Sequence, residues 1–183
     1  MSNSLFDGPA ISLTEALDAR ENRVSMQKEL LAADPRYTLL SATMNIPGSV
    51  KTSEALEVIF KCVTDEVEAN VSEVTPLVNV YRNEKTGYEY FLLLPLQKEV
   101  LKQRMVEIEE SHRYGRLVDL DVLWIEEGEL KSMSREVLGY PRRTCFVCEK
   151  QAKVCGRSRA HSIEEMQKKI STLVEKGRMQ AND

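Results

Sequence analysis

The sequence of 183 residues contains no long hydrophobic run. A membrane-spanning helix needs roughly 20 consecutive apolar residues, and no stretch of the chain approaches that length. The opening residues, MSNSLFDGPA, also lack the basic and apolar regions of a secretory signal. We therefore expect a cytoplasmic protein that has no membrane partner.

The signatures of several common enzyme classes are missing as well. The chain has neither a G-x-G-x-x-G nor a G-x-x-x-x-G-K-[ST] element, so we do not expect a glycine-rich loop that binds nucleotide phosphates. Its two histidines, His112 and His161, lie far apart in sequence and no Ser, His, Asp signature is present, which gives a hydrolytic triad little support. No internal repeat is visible. The length suits one domain, residues 1–183.

Cysteine is scarce, with four residues in the chain. In a cytoplasmic protein they are expected to be reduced thiols or metal ligands rather than disulfides. Cys145, Cys148 and Cys155 form a C-x2-C-x6-C-x5-H pattern with His161, a complete tetrahedral set for a structural zinc ion. The alternative is that reduced thiols stabilise this segment by packing. The fourth cysteine, Cys62, is interpreted as a buried apolar filler of a helix.

The formal net charge of −4 hides a basic segment. Against Glu149, residues 141–160 contain six basic residues: Arg142, Arg143, Lys150, Lys153, Arg157 and Arg159. Such a cluster can bind phosphates through charge-assisted hydrogen bonds, and the alternative is a solvated basic loop. The acidic balance of the whole chain, and the lack of aromatic residues interleaved with the basic ones, argue against nucleic acid as a partner.

Two aspartates interrupt a segment that otherwise has the pattern of a buried strand, YGRLVDLDVLWI at 114–125. Because side chains alternate along a strand, Asp119 and Asp121 are predicted to share one face. The opposite face would carry Val118, Leu120, Val122 and Trp124. Ionised carboxylates on an apolar platform require a cation, and Mg²⁺ typically takes one or two carboxylates plus substrate phosphates. A magnesium-bound triphosphate, with Arg116 stabilising phosphoryl charge, is one interpretation; acids on the solvent face of an edge strand are the other.

Hydrophobic periodicity predicts an α+β fold with a mixed or antiparallel sheet covered by helices. Helices are predicted at 12–32, 51–71, 98–112 and 162–177, the first and last opened by capping boxes, Ser12 with Glu15 and Ser162 with Glu165. Strands are predicted near 37–46, in a hairpin formed by PLVNVYR and YEYFLLL, and in the aspartate segment, which turns back through EEGE. An irregular Cys/Arg-rich segment, 140–161, precedes the final helix.

The first helix has polar residues at positions where apolar ones are expected. Its predicted inward stripe is Leu13, Leu17, Arg20, Val24, Gln27 and Leu31. Arg20 and Gln27, with Arg23 one turn from Arg20, would then need partners, either an internal carboxylate or a bound ligand.

Two C-terminal motifs, HRYGRLVDLDVL and PRRTCFVCEKQAKVCGRSRAHS, resemble the holo-acyl-carrier-protein synthases of citrate lyase, the phosphoribosyl-dephospho-coenzyme A transferase family. The family pattern H-x-x-G-R-L-x-D-x-D-V is met at His112, Gly115, Arg116, Leu117, Asp119, Asp121 and Val122. DARENRVSMQKELL is similar to the family's early helix at Arg20, Arg23 and Gln27, and MNIPGSVKTS to its N-x-PG-x-x-K turn at Lys51. The resemblance extends over most of the chain.

The resemblance implies a nucleotidyltransferase-like fold and a reaction of the EC 2.7.7 type. A serine of the citrate lyase acyl carrier (gamma) subunit would attack the α-phosphorus of 2'-(5''-triphosphoribosyl)-3'-dephospho-coenzyme A, attaching the prosthetic group and releasing diphosphate. Asp119 and Asp121 would hold Mg²⁺, one of them also accepting the serine proton, and Arg116 would bind phosphate. Further candidates for the remaining phosphates or for the carrier's acidic surface are Arg20, Arg23, Gln27, Lys51, Arg142, Arg143 and Arg157.

Two alternatives stand beside the transferase. One is a non-enzymatic, zinc-stabilised interaction module whose basic segment binds an acidic protein partner. The other is a metal-dependent nuclease or phosphohydrolase, which would act on simple phosphodiesters without an acyl carrier.

Overall fold

The computed structural model describes residues 4–180, and its order of elements is the predicted one. The helices are α1 Leu13–Ala33, α2 Glu54–Asn70, α3 Lys98–Ser111, α4 Ala152–Ser158 and α5 Ile163–Met179. The strands are β1 Thr38–Met44, β2 Val78–Glu84, β3 Gly87–Leu94, β4 Val118–Glu126 and β5 Glu129–Ser132. Short 3-10 turns occupy Gly115–Leu117 and Arg135–Leu138. The α+β class is therefore confirmed.

The five strands form one sheet in the order β2-β3-β1-β4-β5, and each neighbouring pair is antiparallel. Of the mixed and antiparallel sheets that were predicted, the antiparallel one is observed. The central strand, β1, is buried on both faces, with Leu39 and Leu40 fully inaccessible. The short β5 pairs only with residues 123–126 of β4. The Met133 N–H extends this pairing by donating to the Val122 carbonyl oxygen at 3.1 Å. Residues 118–121 consequently pair with β1 on one side and form an open sheet edge on the other.

The two faces of the sheet are covered differently. On one face α2, α3 and α5 pack against the larger core, which includes Val118, Leu120 and Val122 of β4. On the other face α1 places Leu31 against a smaller apolar cluster: Leu39, Phe91, Leu93 and Leu123. The remainder of this second face is polar, because the same-face positions nearer the start of β4 carry Ser41, Thr43, Glu89, Asp119 and Asp121.

The predicted inward stripe of α1 is wrong in its first half. Leu13 is 77% exposed, and Leu17 and Val24 are also exposed, whereas Gln27 and Leu31 are buried. The apolar part of this sheet face ends beneath the C-terminal half of α1, so the first turns have no apolar surface to cover. Arg20 is exposed for the same reason.

Local signals at helix ends are confirmed, with one shift of boundary. Both capping boxes are present: the Ser12 and Ser162 hydroxyls each accept a backbone N–H from the glutamate three residues later. The second helix begins at Glu54 rather than at residue 51, because Ser53 caps it. The Cys/Arg-rich segment is less irregular than predicted, since it contains α4 and an isolated bridge, 144 to 151. Within residues 4–180, no helix is long and apolar enough to cross a membrane.

Candidate active site at the open edge of the sheet

The two aspartates of β4 project from the same face, as predicted, and the opposite face of the strand is packed into the core. In the antiparallel register Asp119 lies opposite Thr43 and Asp121 lies opposite Ser41. Beyond β1, Thr43 in turn lies opposite Glu89 of β3. The patch therefore offers carboxylate and hydroxyl oxygens, which are the donors that Mg²⁺ prefers.

Side chains replace the missing strand along the open edge of β4. The Leu120 N–H donates to Glu109 Oε1 at 2.9 Å, and Lys102 Nζ donates to the Leu120 carbonyl oxygen at 2.9 Å. The Val118 carbonyl oxygen accepts from Arg143 Nη2 at 2.8 Å. Buried backbone groups need such partners, and an unprotected edge would invite pairing with another chain. Charged groups thus hold β4 in place while leaving its polar face uncovered.

Arg143 links this edge to the aspartates. Its Nη1 lies 2.7 Å from Asp119 Oδ1 and its Nη2 lies 2.7 Å from Glu109 Oε1. Arg135 Nη2 contacts the other oxygen of Glu109 at 2.8 Å. The Glu109 side chain is only 5% exposed, so one buried carboxylate holds two arginines, one of which reaches the candidate site.

Arg116 lies on the 3-10 turn that leads into β4. Its guanidinium stands 4.5 Å from the centroid of the Phe146 ring, and its Nη2 donates to the Thr144 carbonyl oxygen. Burial lowers the pKa of Arg116, and the nearby positive charge of Arg143 acts in the same direction. Its Nη1 is buried and has no hydrogen-bond partner in the described part of the chain. A buried donor normally has an acceptor, so this nitrogen marks a position where a bound anion or an ordered water is expected.

Gly115 allows the turn that carries Arg116 to approach α3 closely. A Cβ at this position would lie 2.3 Å from the Ile108 carbonyl oxygen, a separation that no side chain could adopt without moving backbone. The Gly115 N–H donates to the His112 carbonyl oxygen at 2.8 Å. The G-R pair of the sequence motif is therefore explained by close packing at the glycine and by the position of the arginine.

The local electrostatics disfavour ionisation of the aspartate pair. Partial desolvation raises the pKa of Asp119. The negative charges of Asp121 and Glu109 raise this pKa further, whereas the positive charge of Arg143 lowers it. Desolvation also raises the pKa of Asp121, against the attraction of Lys102. Solvent still reaches both groups, since the Asp119 side chain is 43% exposed and Asp121 is exposed. A divalent cation here would favour the ionised forms, so the patch is suited to one.

Helix α1 borders the same polar face. Arg23 Nε lies 2.6 Å from Glu89 Oε1, and Gln27 Nε2 donates to Ser41 Oγ at 2.9 Å. The sequence predicted either an internal carboxylate or a bound ligand as partner for these polar residues. The partners observed for Arg23 and Gln27 are internal groups. Arg20, by contrast, makes no hydrogen bond or ion pair with any residue of 4–180 and is exposed.

The remaining basic candidates are not gathered around the aspartates. Lys51 donates to the Ile46 carbonyl oxygen in the turn after β1, and burial lowers its pKa. Arg142 pairs with Glu136 at 2.6 Å, and Arg157 is exposed on α4. Across residues 4–180, none of these three basic groups contacts the aspartate pair. Of the predicted cations, Arg143 contacts Asp119 directly. The positive charges of Arg116 and Arg23 lower the pKa of Asp119 and of Asp121, respectively, without a direct contact.

The Cys3His group, Cys145, Cys148, Cys155 and His161, is assembled as predicted. Its four ligand atoms all lie within 4.8 Å of one another. The Sγ atoms of Cys148 and Cys155 are 3.5 Å apart, and His161 Nε2 is 3.2 Å from Cys148 Sγ. All three cysteines are free thiols. The group can bind a metal such as zinc.

Sequence reasoning missed the charged residues that protect the edge of β4. Lys102, Val106 and Glu109 recur at helical spacing on α3, and all three are buried. A buried stripe with a charge at each end indicates partners across a packed surface. The spacing of the three residues can be read from the sequence, but their burial and the identity of their partners cannot.

Paired carboxylates beside arginines form the kind of centre at which proteins bind phosphorylated substrates. The family model for apo-citrate lyase phosphoribosyl-dephospho-CoA transferase matches residues 11–177. A Streptococcus pyogenes serotype M18 protein named as a probable transferase of that kind is 44% identical over 172 residues, covering 94% of this chain and 90% of its own. A Vibrio cholerae protein of the same name is 34% identical over 168 residues, covering 90% of this chain and 92% of its own.

A longer relative contains a similar region as one part of its length. Protein CitXG of Haemophilus influenzae is 35% identical over 171 residues, which is 92% of this chain but 36% of that protein. The chain belongs to the apo-citrate lyase phosphoribosyl-dephospho-CoA transferase family. The predicted family and transferase function are confirmed, and the non-enzymatic interaction module is not favoured.

Proposed function

We propose that the chain, acting as one domain over residues 1–183, attaches the phosphoribosyl-dephospho-coenzyme A group to a serine of the citrate lyase acyl carrier (gamma) subunit. The donor is the triphosphoribosyl precursor. The serine Oγ forms a bond to the α-phosphorus, the bond from that phosphorus to the diphosphate bridging oxygen breaks, and diphosphate leaves. The observation that carries the proposal is that Asp119 and Asp121 share the open polar face of β4, beside Arg116 and Arg143.

This is a nucleotidyl-transfer reaction, in which a protein mainly positions the groups and stabilises charge. Because the proposed reaction is a nucleotidyl transfer, we also assign the fold to a nucleotidyltransferase-like class. We expect the reaction to occur in the cytoplasm, because free cysteines fit a reducing compartment.

The aspartate pair fits Mg²⁺ by the chemistry of its donors. The neighbouring same-face groups on β1 are the hydroxyls of Ser41 and Thr43, so hard oxygen donors lie beside the two carboxylates. Asp119 and Asp121 would hold the ion, which when bound neutralises phosphate charge and orients the substrate.

Of the two carboxylates, Asp121 is the better placed to accept the serine proton. Asp119 Oδ1 already accepts a hydrogen bond from Arg143. Asp121 makes no hydrogen bond or ion pair with residues 4–180, so both of its oxygens are free for a proton or a ligand. Proton transfer requires the base to come within hydrogen-bond distance of the attacking hydroxyl, and an exposed carboxylate is open to that approach.

The basic residues divide into two groups in this proposal. Arg116 binds a phosphate oxygen through its guanidinium, whose buried Nη1 lacks a partner among the described residues, while Arg143 balances charge at Asp119. Arg23 and Gln27 border the same face and are candidates for binding the rest of the donor. The others, which lie further out, are candidates for the outer phosphates or for the carrier's acidic surface: Arg20, Lys51, Arg142 and Arg157.

The test is the intact mass of purified acyl carrier subunit after incubation with this protein, the precursor and Mg²⁺, with and without chelator. We expect a metal-dependent gain equal to the precursor minus diphosphate. Asp119→Asn and Asp121→Asn should each lower the rate by on the order of a hundredfold or more, whereas Asp65→Asn, an exposed change on α2, should not. Full activity in both β4 variants would remove the metal site from the proposal. Hydrolysis of simple phosphodiesters without carrier would support the phosphohydrolase instead.

A further inference from the structure

We propose that the Cys3His group binds one structural Zn²⁺, and that this ion positions the residues that contact Arg116 and Asp119. The separations are close to those of an occupied site. With Zn–S bonds of about 2.3 Å, tetrahedral thiolates lie roughly 3.8 Å apart. The Sγ atoms of Cys148 and Cys155 are 3.5 Å apart, and His161 Nε2 is 3.2 Å from Cys148 Sγ. All four ligand atoms lie within 4.8 Å of one another, so a single ion would draw the outermost pair together by about 1 Å at most.

The four ligands are supplied by three separate pieces of backbone, each with its own hydrogen bonds. The Cys145 N–H donates to the Lys150 carbonyl oxygen at 2.8 Å, and the Val147 N–H points at Cys145 Sγ at 3.4 Å. Cys155 lies in α4, whose end is closed by the Ala160 N–H on the Cys155 carbonyl oxygen at 3.1 Å. His161 follows immediately, before the cap of α5. Four protein ligands close the coordination shell, so the ion would be structural.

Apolar burial cannot account for the order of this segment. Between residues 140 and 161, all of which the structure describes, Cys155 is the only buried side chain. Val154, an apolar neighbour, is 52% exposed. Ordering each residue costs about 1–2 kcal/mol of conformational entropy, and metal ligation is a common source of compensation where a hydrophobic core is lacking. Zinc supplies the cross-link that packing does not.

The residues beside the first zinc ligand are those that contact the candidate active site. Arg143 binds Asp119 at 2.7 Å, and the Thr144 carbonyl oxygen accepts from Arg116. Phe146, next to Cys145, supports the Arg116 guanidinium from 4.5 Å. The zinc therefore fixes the loop that sets the positions of one aspartate and one arginine of the site.

Removing the metal should release this loop and leave the sheet intact. The paired strands β1, β3 and β4 are held by the two apolar clusters, to which residues 140–161 contribute only Phe146 and only at the margin. The metal assignment is independent of the proposed transferase reaction. The positioning role rests on that proposed function, but hydrogen exchange can test it without measuring the transferase reaction.

The first experiment measures zinc in the purified full-length protein under reducing conditions, by elemental analysis and native mass spectrometry, with Co²⁺ substitution to report thiolate coordination. We expect about one ion per chain. Cys148→Ser should weaken zinc retention by at least about tenfold. Cys62→Ser is the matched control, because Cys62 lies against α3 near His112, outside the group, and should retain the metal. Absence of zinc after reconstitution with Zn²⁺, or equal retention in both variants, would overturn the assignment.

The second experiment needs no variant, so it holds even if Cys148→Ser does not fold. Hydrogen exchange of the parent protein is compared before and after chelation, and again after Zn²⁺ is restored. The Cys145 and Ala152 amides, which bond to the carbonyl oxygens of Lys150 and Arg143, should lose protection on chelation, while β1 amides should not. Unchanged protection at 143–152 would refute the positioning role. If the protein binds zinc and its amides at 143–152 are protected, but the carrier is not modified, the result would count against the transferase proposal alone.

Discussion

Replacing Glu109 by glutamine tests the claim that charged side chains hold the open edge of β4. The carboxylate is 5% exposed and accepts hydrogen bonds from the Leu120 N–H and from Arg135, while Arg143 pairs with it as well. Glutamine has nearly the same shape and keeps one acceptor oxygen for the strand. The substitution therefore removes the negative charge while leaving the packing of α3 almost unchanged.

The expected loss can be estimated from the two arginines. They are 11% and 16% exposed, so solvent cannot fully replace the carboxylate. Removing one member of a buried ion pair typically costs 3–5 kcal/mol. Each arginine keeps a second partner, Arg135 with Glu110 and Arg143 with Asp119, which favours the lower end. We expect the free energy of unfolding to fall by about 3 kcal/mol, and the melting temperature by roughly 6–12 °C for a chain of this size.

The measurement is urea unfolding at neutral pH, with the slope against urea required to stay unchanged. The adjacent residue gives the control, because Glu110 pairs with the same Arg135 at 2.6 Å but is 57% exposed. An exposed pair contributes about 0–1 kcal/mol, so Glu110→Gln should change stability by no more than that. A loss below about 1 kcal/mol for Glu109→Gln, or equal losses for the two variants, would refute the reasoning.

Three further predictions concern stability. Ser162→Ala removes the hydroxyl that caps α5 and should cost about 1 kcal/mol in urea unfolding. Burial lowers the pKa of His112, whose Nδ1 accepts the Tyr114 N–H at 3.1 Å. Because the unfolded chain then binds the proton more readily than the folded one, the free energy of unfolding should fall as the pH drops below about 6.5. His112→Asn should make the free energy of unfolding depend less steeply on pH in this range. At Gly177 a Cβ would lie 2.4 Å from the Tyr114 ring, whereas at Gly156 it would meet nothing within 4 Å. In thermal unfolding, Gly177→Ala should therefore destabilise the protein, because overpacking costs about 1–3 kcal/mol. Gly156→Ala, on helix α4, should instead stabilise it by up to about 1 kcal/mol.

Features set by neighbouring residues were predictable from the sequence. The capping boxes at Ser12 and Ser162 and the shared face of Asp119 and Asp121 depend only on local hydrogen bonding or on the alternation of a strand. The Cys3His group was also predictable, since its spacing is short enough for the chain to fold back on itself.

Features set by distant elements were not predictable. The inward side of α1 depends on where the sheet beneath it changes from apolar to polar, which places Leu13 in solvent and Gln27 in contact with Ser41. The partners of Arg143 depend on β5 ending before it reaches the first half of β4. Hydrophobic periodicity in the sequence indicates neither where the sheet face turns polar nor where β5 ends.

The short length of β5 connects stability to the candidate chemistry. Had β5 continued along β4, backbone amides and carbonyls would satisfy that edge, and Arg143 would have no carbonyl oxygen of Val118 to bind. Because β5 stops, charged residues must take its place, and Arg143 is shared between Glu109 and Asp119. A change that alters the edge should therefore also alter the charge balance at the aspartates. It follows that Glu109→Gln, though it touches neither aspartate, should change the rate of carrier modification as well as stability, and Glu110→Gln should change neither by more than a small amount.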